Sequence, residues 1–248
     1  MWEEGTAAAI GRSIETYLRD PARIRAMEVS LARFVRRGGL AFDIGAHLGD
    51  RAAAMARLGA RVVALEPQPA AFRALRMIHR RASGVTIVNA AAGAAEGYAE
   101  MFLNTANPTV STLSDAFVAA ARTGDGWRDQ IWDRRVAVPV TTLDALIGRH
   151  GVPQFVKIDV EGHEPEVLAG LSRPLPALSF EVTHLQRGAG IASLDRLEAL
   201  APHAYALSLG EGHDVPGEGW LTARAMRERI EALTPEDNSG DVYARPRG

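Results

Sequence analysis

An acid and two glycines follow the first predicted strand at a spacing that suits a ligand-binding turn. Asp43 lies in the apolar run of residues 40–44, and Gly45 and Gly49 flank the turn into an alanine-rich helix. A glycine here lets the backbone turn sharply and approach a ligand with no side chain between them. In an open α/β sheet, such turns lie at the carboxyl ends of the strands, where ligands bind. The segment is therefore a candidate cofactor site.

The spacing of the glycines distinguishes two kinds of cofactor. A dinucleotide-binding turn has the pattern G-x-G-x-x-G, which the segment from Gly45 to Gly49 lacks. An acid at the strand end would repel a pyrophosphate, which needs bare backbone N–H groups at a helix N-terminus. The same acid suits the cationic amino group of S-adenosylmethionine. Asp43 therefore favours S-adenosylmethionine over NAD.

Polar residues also end the next two predicted strands. Glu66 follows the strand at residues 61–65 and lies about 20 residues beyond Asp43, where an acid can bind both ribose hydroxyls. The alternative is that Glu66 only caps the helix after Pro67. Asn89 follows the third strand and either hydrogen-bonds the adenine edge or serves as a turn residue. Because both acids lie at strand ends in one unit, we predict a nucleoside site.

A second group of ionisable residues lies at and just beyond the ends of the predicted strands at residues 155–159 and 177–182. So many ionisable groups at one edge of the sheet are hard to explain by a role in folding, and they indicate a functional site. Asp159 is expected to hold the methionine amino group, as Asp43 could. An alcohol acceptor needs a base, and the candidate bases at this edge are Glu161, His163, Glu181 and His184. We expect Asp159, Glu161 and Glu181 to converge on one cavity.

A divalent metal ion is the alternative to a protein base. The acids and histidines of this group offer the oxygen and nitrogen ligands that Mg²⁺ or a transition metal needs. Such an ion would lower the pKa of the acceptor hydroxyl. The spacing matches no closed metal motif, so a metal ion is not favoured and no metal ligand is assigned.

Several segments, in order along the chain, resemble the FkbM family of methyltransferases, and together they cover residues 38–185. The segments are residues 42–49, 64–72, 140–144, 156–164, 167–170 and 180–182. The resemblance implies a class I methyltransferase sheet, S-adenosylmethionine as the donor, and a hydroxyl acceptor, often on a sugar or natural product. His47 stands where the family commonly has Asn, and His163 where it often has a small residue.

The elements that must position these residues predict a Rossmann-like α/β fold. Short apolar strands alternate with helices, as in parallel sheets buried on both faces. We expect a mostly parallel seven-stranded sheet flanked by helices in a methyltransferase domain at residues 38–248. Residues 1–37 would form a helical extension, with one helix at residues 6–19 and another that Asp20 caps and that runs to about Arg37.

An insertion at about residues 97–140 interrupts this alternation. It reads as a hairpin whose tip, residues 104–133, is a loop or short helix, and we expect it to close over the carboxyl end of the sheet as a lid. Trp127 and Trp132 would contact the acceptor or, equally, pack the lid onto the core or a dimer interface. Arginines could hold an anionic or polyhydroxylated acceptor: Arg122, Arg128, Arg134 and Arg135.

Composition narrows the classes of function. The formal net charge of −2 disfavours a nucleic-acid or anionic-membrane partner, and the absence of cysteine excludes disulfides and thiolate sites. The acidic start and the lack of a long apolar stretch favour a cytoplasmic protein. The sequence is compatible with a homo-oligomer. Two alternatives stay open: a nicotinamide-dependent oxidoreductase, which lacks its glycine pattern, and a noncatalytic nucleoside-binding module, against which the acids argue.

Overall fold

The computed structural model describes residues 4–210, 215 and 217–247. Within these residues the strands are β1 (Leu40–Ile44), β2 (Arg61–Leu65), β3 (Val85–Val88), β4 (Ala91–Ala92), β5 (Gly97–Leu103), β6 (Arg134–Thr141), β7 (Phe155–Ile158), β8 (Leu178–Thr183), β9 (His203–Leu209) and β10 (Ser239–Pro246). The helices are α1 (Glu4–Leu18), α2 (Pro21–Leu31), α3 (Asp50–Arg57), α4 (Pro69–Ile78), α5 (Asp115–Ala121), α6 (Leu143–His150), α7 (Glu164–Ala169), α8 (Arg187–Leu200) and α9 (Ala223–Glu231).

Seven of the strands form the central sheet, in the order β3-β2-β1-β7-β8-β10-β9. Strand β10 runs antiparallel to both of its neighbours, and the other pairs are parallel. This confirms the predicted Rossmann-like, mostly parallel seven-stranded sheet. The strand order reverses at β1, which lies between β2 and β7, and a crevice for a ligand opens at such a reversal.

Both faces of the central sheet are buried, because successive side chains of a strand point to opposite faces. Phe42 and Ile44 of β1 belong to one core cluster, which includes residues of α6, α7, α8 and α9. Ala41 belongs to the other, which includes residues of α2 and α3. Short apolar runs without polar alternation follow from this double burial.

The insertion forms a small second sheet in the order β4-β6-β5. Strands β5 and β6 pair antiparallel from Gly97 opposite Val140 to Leu103 opposite Arg134, which confirms the hairpin. Helix α5 lies in the tip and is capped by Ser114, whose hydroxyl accepts a hydrogen bond from the Phe117 N–H. The two-residue strand β4 carries no sequence signal, because two alanines are too few to show a period.

Three helices differ from the sequence predictions. Helix α2 ends at Leu31 and not at Arg37. Phe34, three residues beyond the end of the helix, stacks on Phe155 with ring centroids 5.0 Å apart. The sequence pattern predicts a helix from Ser193 to Leu200, but helix α8 begins six residues earlier, at Arg187, in a segment whose glycines are typical of a loop. Gly190 lies against β8 at a distance that leaves no room for a side chain. Helix α6 was not predicted, although Thr142 caps it.

Candidate cofactor and acceptor site

Two adjoining cavities lie at the carboxyl ends of the central strands. The apolar cavity is lined by Ile44, Ala90, Met101, Pro108 and Leu113, with Glu66 at its wall. The acidic cavity is lined by Asp43, Asp159, Glu161, Glu181 and Arg51. The two share Gly45, His47, Thr109, Asp159 and Glu161. One elongated ligand with an apolar end and a charged end could therefore occupy both.

The turn after β1 brings the backbone of β1 against that of β7. Gly45 has a φ of +82°, and a Cβ built on it would lie 1.8 Å from the backbone oxygen of Asp159. The Asp159 N–H in turn donates to the Ile44 oxygen at 2.9 Å. Gly49 also has a positive φ, +79°, at the start of α3. Glycine is therefore required at position 45 by conformation and by space.

Glu66 is 5% exposed, and backbone donors fix its carboxylate. One oxygen accepts from the His47 N–H at 2.8 Å and the other from the Gln68 N–H at 2.7 Å. Burial raises the pKa of Glu66 to about 7, although these hydrogen bonds act to lower it. Each carboxylate oxygen has two acceptor sites, so each can accept one more hydrogen bond. Glu66 thus braces the turns and still offers acceptors to the apolar cavity.

Asp43 is 1% exposed, and neither of its carboxylate oxygens has a hydrogen-bond partner among the described residues. Burial raises its pKa to about 7, although the charge of Arg51 acts to lower it. A buried carboxylate without a partner carries a desolvation cost that a bound cation would offset. Asp43 is therefore suited to receive a positively charged group of a ligand.

Asp159, by contrast, already has cationic partners. The Lys157 Nζ lies 3.3 Å and the Arg51 Nη2 3.6 Å from Oδ2 of Asp159. Although burial acts to raise it, these two charges hold the pKa of Asp159 below its usual value. The Lys157 side chain is 3% exposed and also contacts Asp241 at 2.7 Å. Asp159 is thus less free than Asp43 to bind a ligand ammonium.

Lys157 and Arg51 were not identified from the sequence. Lys157 is the only lysine of the chain and lies within an apolar strand, and this was the signal that could have revealed it. A buried lysine needs anionic partners nearby. Arg51 has no such signal, because it is one of many arginines and its contact with Asp159 arises only in the folded chain.

The structure confirms that Asp159, Glu161 and Glu181 converge. One carboxylate oxygen from each lies within 4.8 Å of the others. Burial and the neighbouring acids Asp159 and Glu164 raise the pKa of Glu161 well above its usual value. Burial and the charge of Glu161 do the same for Glu181. Glu161 also has a positive φ of +55°, a backbone conformation that is uncommon for residues other than glycine.

Three other candidates lie at the edge of this arrangement. The Asn89 amide donates to the backbone oxygens of Glu66 and Pro67, at 2.8 and 3.3 Å, so it braces the loop that carries Glu66. His163 lines the apolar cavity, and burial lowers its pKa. The His184 Nδ1 lies 3.1 Å from the backbone oxygen of Asn238, and His184 is absent from the linings of both cavities.

The insertion contacts the site through Thr109 and Thr112, and its two tryptophans do not line either cavity. Thr109 lines both cavities, and the Thr112 hydroxyl donates to the backbone oxygen of Glu161 at 2.7 Å. Trp127 and Trp132 pack edge-on against Phe117, with ring centroids 5.3 and 6.0 Å away. These contacts lie within the insertion itself, an arrangement that neither alternative for the tryptophans anticipates.

Comparison with known proteins identifies a matching family. The family model described as the methyltransferase FkbM domain matches residues 43–205. The matched residues include every acidic residue that lines either cavity. A hexuronic acid methyltransferase, AglP of Haloferax volcanii, is 27% identical over 149 residues, which cover 59% of this chain and 56% of the relative. The chain thus matches little more than half of that relative's length.

Solved structures match most of the chain at low sequence identity and low TM-score. A precorrin-6y C5,15-methyltransferase of Geobacter metallireducens has a TM-score of 0.46 and 14% identity, covering 89% of this chain and 87% of that one. An O-methyltransferase of Bacillus cereus has a TM-score of 0.44 and 11% identity, covering 99% and 92%. These values are too low to indicate a shared substrate or mechanism. Separately, no helix within the described residues has the length and apolarity to cross a membrane.

Proposed function

The chain belongs to the FkbM methyltransferase family, and from this premise we propose that it transfers a methyl group from S-adenosylmethionine to a hydroxyl of a small molecule or saccharide. The observation that carries the proposal is a pair of buried carboxylates with different surroundings. Glu66 is fixed by backbone donors beside the apolar cavity, and Asp43, in the acidic cavity, has no hydrogen-bond partner among the residues that the structure describes. A nucleoside with a cationic tail requires this combination.

The cofactor would span both cavities. Its adenine would lie in the apolar cavity, and its ribose hydroxyls would donate to Glu66. Its amino group would lie on Asp43, whose two oxygens have no hydrogen-bond partner among the described residues, rather than on Asp159, one of whose oxygens contacts Lys157 and Arg51. The shared wall of the cavities would then adjoin the sulfonium.

The remaining cofactor residues act through the backbone and the loops. Gly45 and Gly49 shape the turn against which the cofactor would lie, and Asn89 holds the Glu66 loop. Asp159 would close the wall between the two cavities. We propose that these four residues position the cofactor and that the carboxylates of Asp43 and Glu66 contact its polar groups directly.

The acceptor would enter the acidic cavity next to Glu161 and Glu181. Methyl transfer is an in-line displacement in which the acceptor oxygen forms a bond to the methyl carbon while the electron pair of the C–S bond returns to sulfur. The products are the methyl ether, a proton and S-adenosylhomocysteine. The protein must align the two reactants and exclude water. Of the four candidate bases, the two glutamates line this cavity and the two histidines do not.

A saccharide is the acceptor class that we favour. The relative AglP is a hexuronic acid methyltransferase, and it is 27% identical to this chain over 149 residues. Carboxylates accept hydrogen bonds from sugar hydroxyls. The predominance of acids in this cavity also disfavours a nucleic acid, whose phosphates would be repelled.

Glu66→Ala is expected to weaken S-adenosylhomocysteine binding by about 1–3 kcal/mol, because two ribose hydroxyls lose their acceptors. Isothermal titration calorimetry measures the loss. Since Glu66 also braces His47 and Gln68, the same titration is made with adenosine and with 2′,3′-dideoxyadenosine. The wild-type protein should prefer adenosine, and the variant should not distinguish the two. If the variant keeps the full preference for adenosine, Glu66 does not hold the ribose.

A further inference from the structure

The acidic cavity carries more negative charge than its own basic residues balance. The set comprises the charged lining residues, the basic partners Arg23 and Lys157 of these residues, and Asp241, the second carboxylate on Lys157. It has six carboxyl groups and three basic side chains: Asp43, Asp50, Asp159, Glu161, Glu181 and Asp241, with Arg23, Arg51 and Lys157. S-adenosylmethionine, with a sulfonium, an ammonium and a carboxylate, adds one net positive charge. The formal excess that remains is two negative charges, the charge that one divalent cation would neutralise.

We propose that Asp159, Glu161 and Glu181 bind one divalent cation, Mg²⁺ or Mn²⁺, which in turn binds the oxygens of the acceptor. The inference rests on the proposed function and concerns the acceptor side of the same site. One oxygen from each carboxylate lies within 4.8 Å of the others, so small side-chain movements bring all three to one ion. Carboxylate oxygens are the ligands that these cations prefer.

The basic residues of the site leave these ligands available. Lys157 and Arg51 both contact the same oxygen of Asp159, Oδ2, and the ion would bind through Oδ1. Within the described part of the chain, Glu161 and Glu181 form no salt bridge, and Oε2 of Glu181 is buried without a hydrogen-bond partner. Unpaired carboxylates at this depth require a cation or a proton.

Asp43 is an independent sign that the cavity receives positive charge. It lies on β1, outside the three-carboxylate group, and lines the same cavity. It is 1% exposed, and neither of its oxygens has a hydrogen-bond partner in the part of the chain that the structure describes. The cofactor ammonium would satisfy Asp43. It would leave the charge of Glu161 and Glu181 on the acceptor side unbalanced, and that is the position of the proposed ion.

The ion would give the acceptor side a definite chemistry. An acceptor hydroxyl bound to a divalent cation has a lowered pKa and loses its proton to water more readily. The resulting oxygen, held at the ion, attacks the methyl carbon as the C–S bond breaks. A vicinal diol, or a hydroxyl beside a carboxylate, can bind the ion through two oxygens, which selects saccharides over simple alcohols.

The single lysine of the chain provides a direct probe of the site. Protein labelled with ¹³C and ¹⁵N only in lysine gives one set of side-chain signals, from Lys157, whose Nζ is 3.3 Å from Asp159. Paramagnetic Mn²⁺ in the site should broaden these signals, and Mg²⁺ should displace it and restore them. Glu161→Gln and Glu181→Gln, which keep the side-chain shape, should each weaken Mn²⁺ at least tenfold. Glu228→Gln, at an exposed glutamate in α9, should change nothing.

Titration of S-adenosylhomocysteine in the presence of a chelator separates this inference from the proposed function. Binding of the cofactor product together with unbroadened Lys157 signals at millimolar Mn²⁺ would overturn the cation site and leave the proposed function standing. Equal broadening in the wild type and in both glutamine variants would also overturn the cation site. No binding of S-adenosylhomocysteine would overturn the proposed function, while the Mn²⁺ titration still decides the cation site.

Discussion

Lys157→Met is expected to lower the free energy of unfolding by about 3–5 kcal/mol, the cost of removing one partner from a buried ion pair. The ammonium of Lys157 lies between Asp159 and Asp241 and donates to the Ile158 oxygen at 3.1 Å. Although burial acts to lower it, these two carboxylates raise the pKa of Lys157, so the side chain stays charged. Methionine fills similar space without charge. Urea denaturation followed by circular dichroism measures the change.

A double variant tests whether unpaired charge is the cause. Adding Asp241→Asn to Lys157→Met removes a carboxylate that the first change leaves unpaired, so the double variant should recover about 1 kcal/mol or more. A loss below about 1 kcal/mol for Lys157→Met, or a further loss in the double variant, would contradict the assignment of Lys157 as the charge that holds Asp159 and Asp241.

Gly45→Ala is the second substitution with a large expected effect. The positive φ of +82° costs a residue with a Cβ about 1–2 kcal/mol. The contact of that Cβ with the Asp159 oxygen, at 1.8 Å before any relaxation, adds about 1–3 kcal/mol. Relief of this contact must move β1 away from β7, which displaces Asp43 and Asp159. We therefore also expect S-adenosylhomocysteine to bind at least tenfold more weakly, about 1.4 kcal/mol.

Gly38→Ala is the matched control. Gly38 has nearly the same backbone conformation, with a φ of +79°, but a Cβ built there meets nothing within 4 Å. It should therefore show only the cost of the positive φ, about 1–2 kcal/mol, and leave cofactor binding unchanged. Equal destabilisation by the two alanines would show that the close approach of β1 and β7 is unimportant.

The strands and the cofactor turn could be predicted from the sequence because their signals are local. Strands β1, β2 and β3 are short, mostly apolar runs, and they are followed by Gly45, Glu66 and Asn89. A sheet that is buried on both faces leaves no polar alternation in such runs. The position of Asp43 and Glu66 at two strand ends follows directly, since parallel neighbours place their carboxyl ends at one edge.

The acceptor side could be predicted only in part, because its geometry depends on contacts between elements that are distant in the sequence. Glu181 meets Glu161 because β8 pairs with β7, and Lys157 meets Asp241 because β10 inserts beside β8. Because these residues lie on strands that are far apart in the sequence, no spacing within one segment predicts that they meet. The expectation that His184 faces the site was reasonable from its position after β8, but the following turn directs its ring to the Asn238 oxygen.

A crystal structure of the complex with S-adenosylhomocysteine tests the central claim most directly. The account predicts both ribose hydroxyls within hydrogen-bond distance of the Glu66 carboxylate and the amino nitrogen on Asp43. The sulfur should lie at the shared wall of the two cavities and point its open side toward Glu161 and Glu181. An adenine in the acidic cavity, or a ribose without contact to Glu66, would contradict the assignment of this edge of the sheet as the methyl-transfer site.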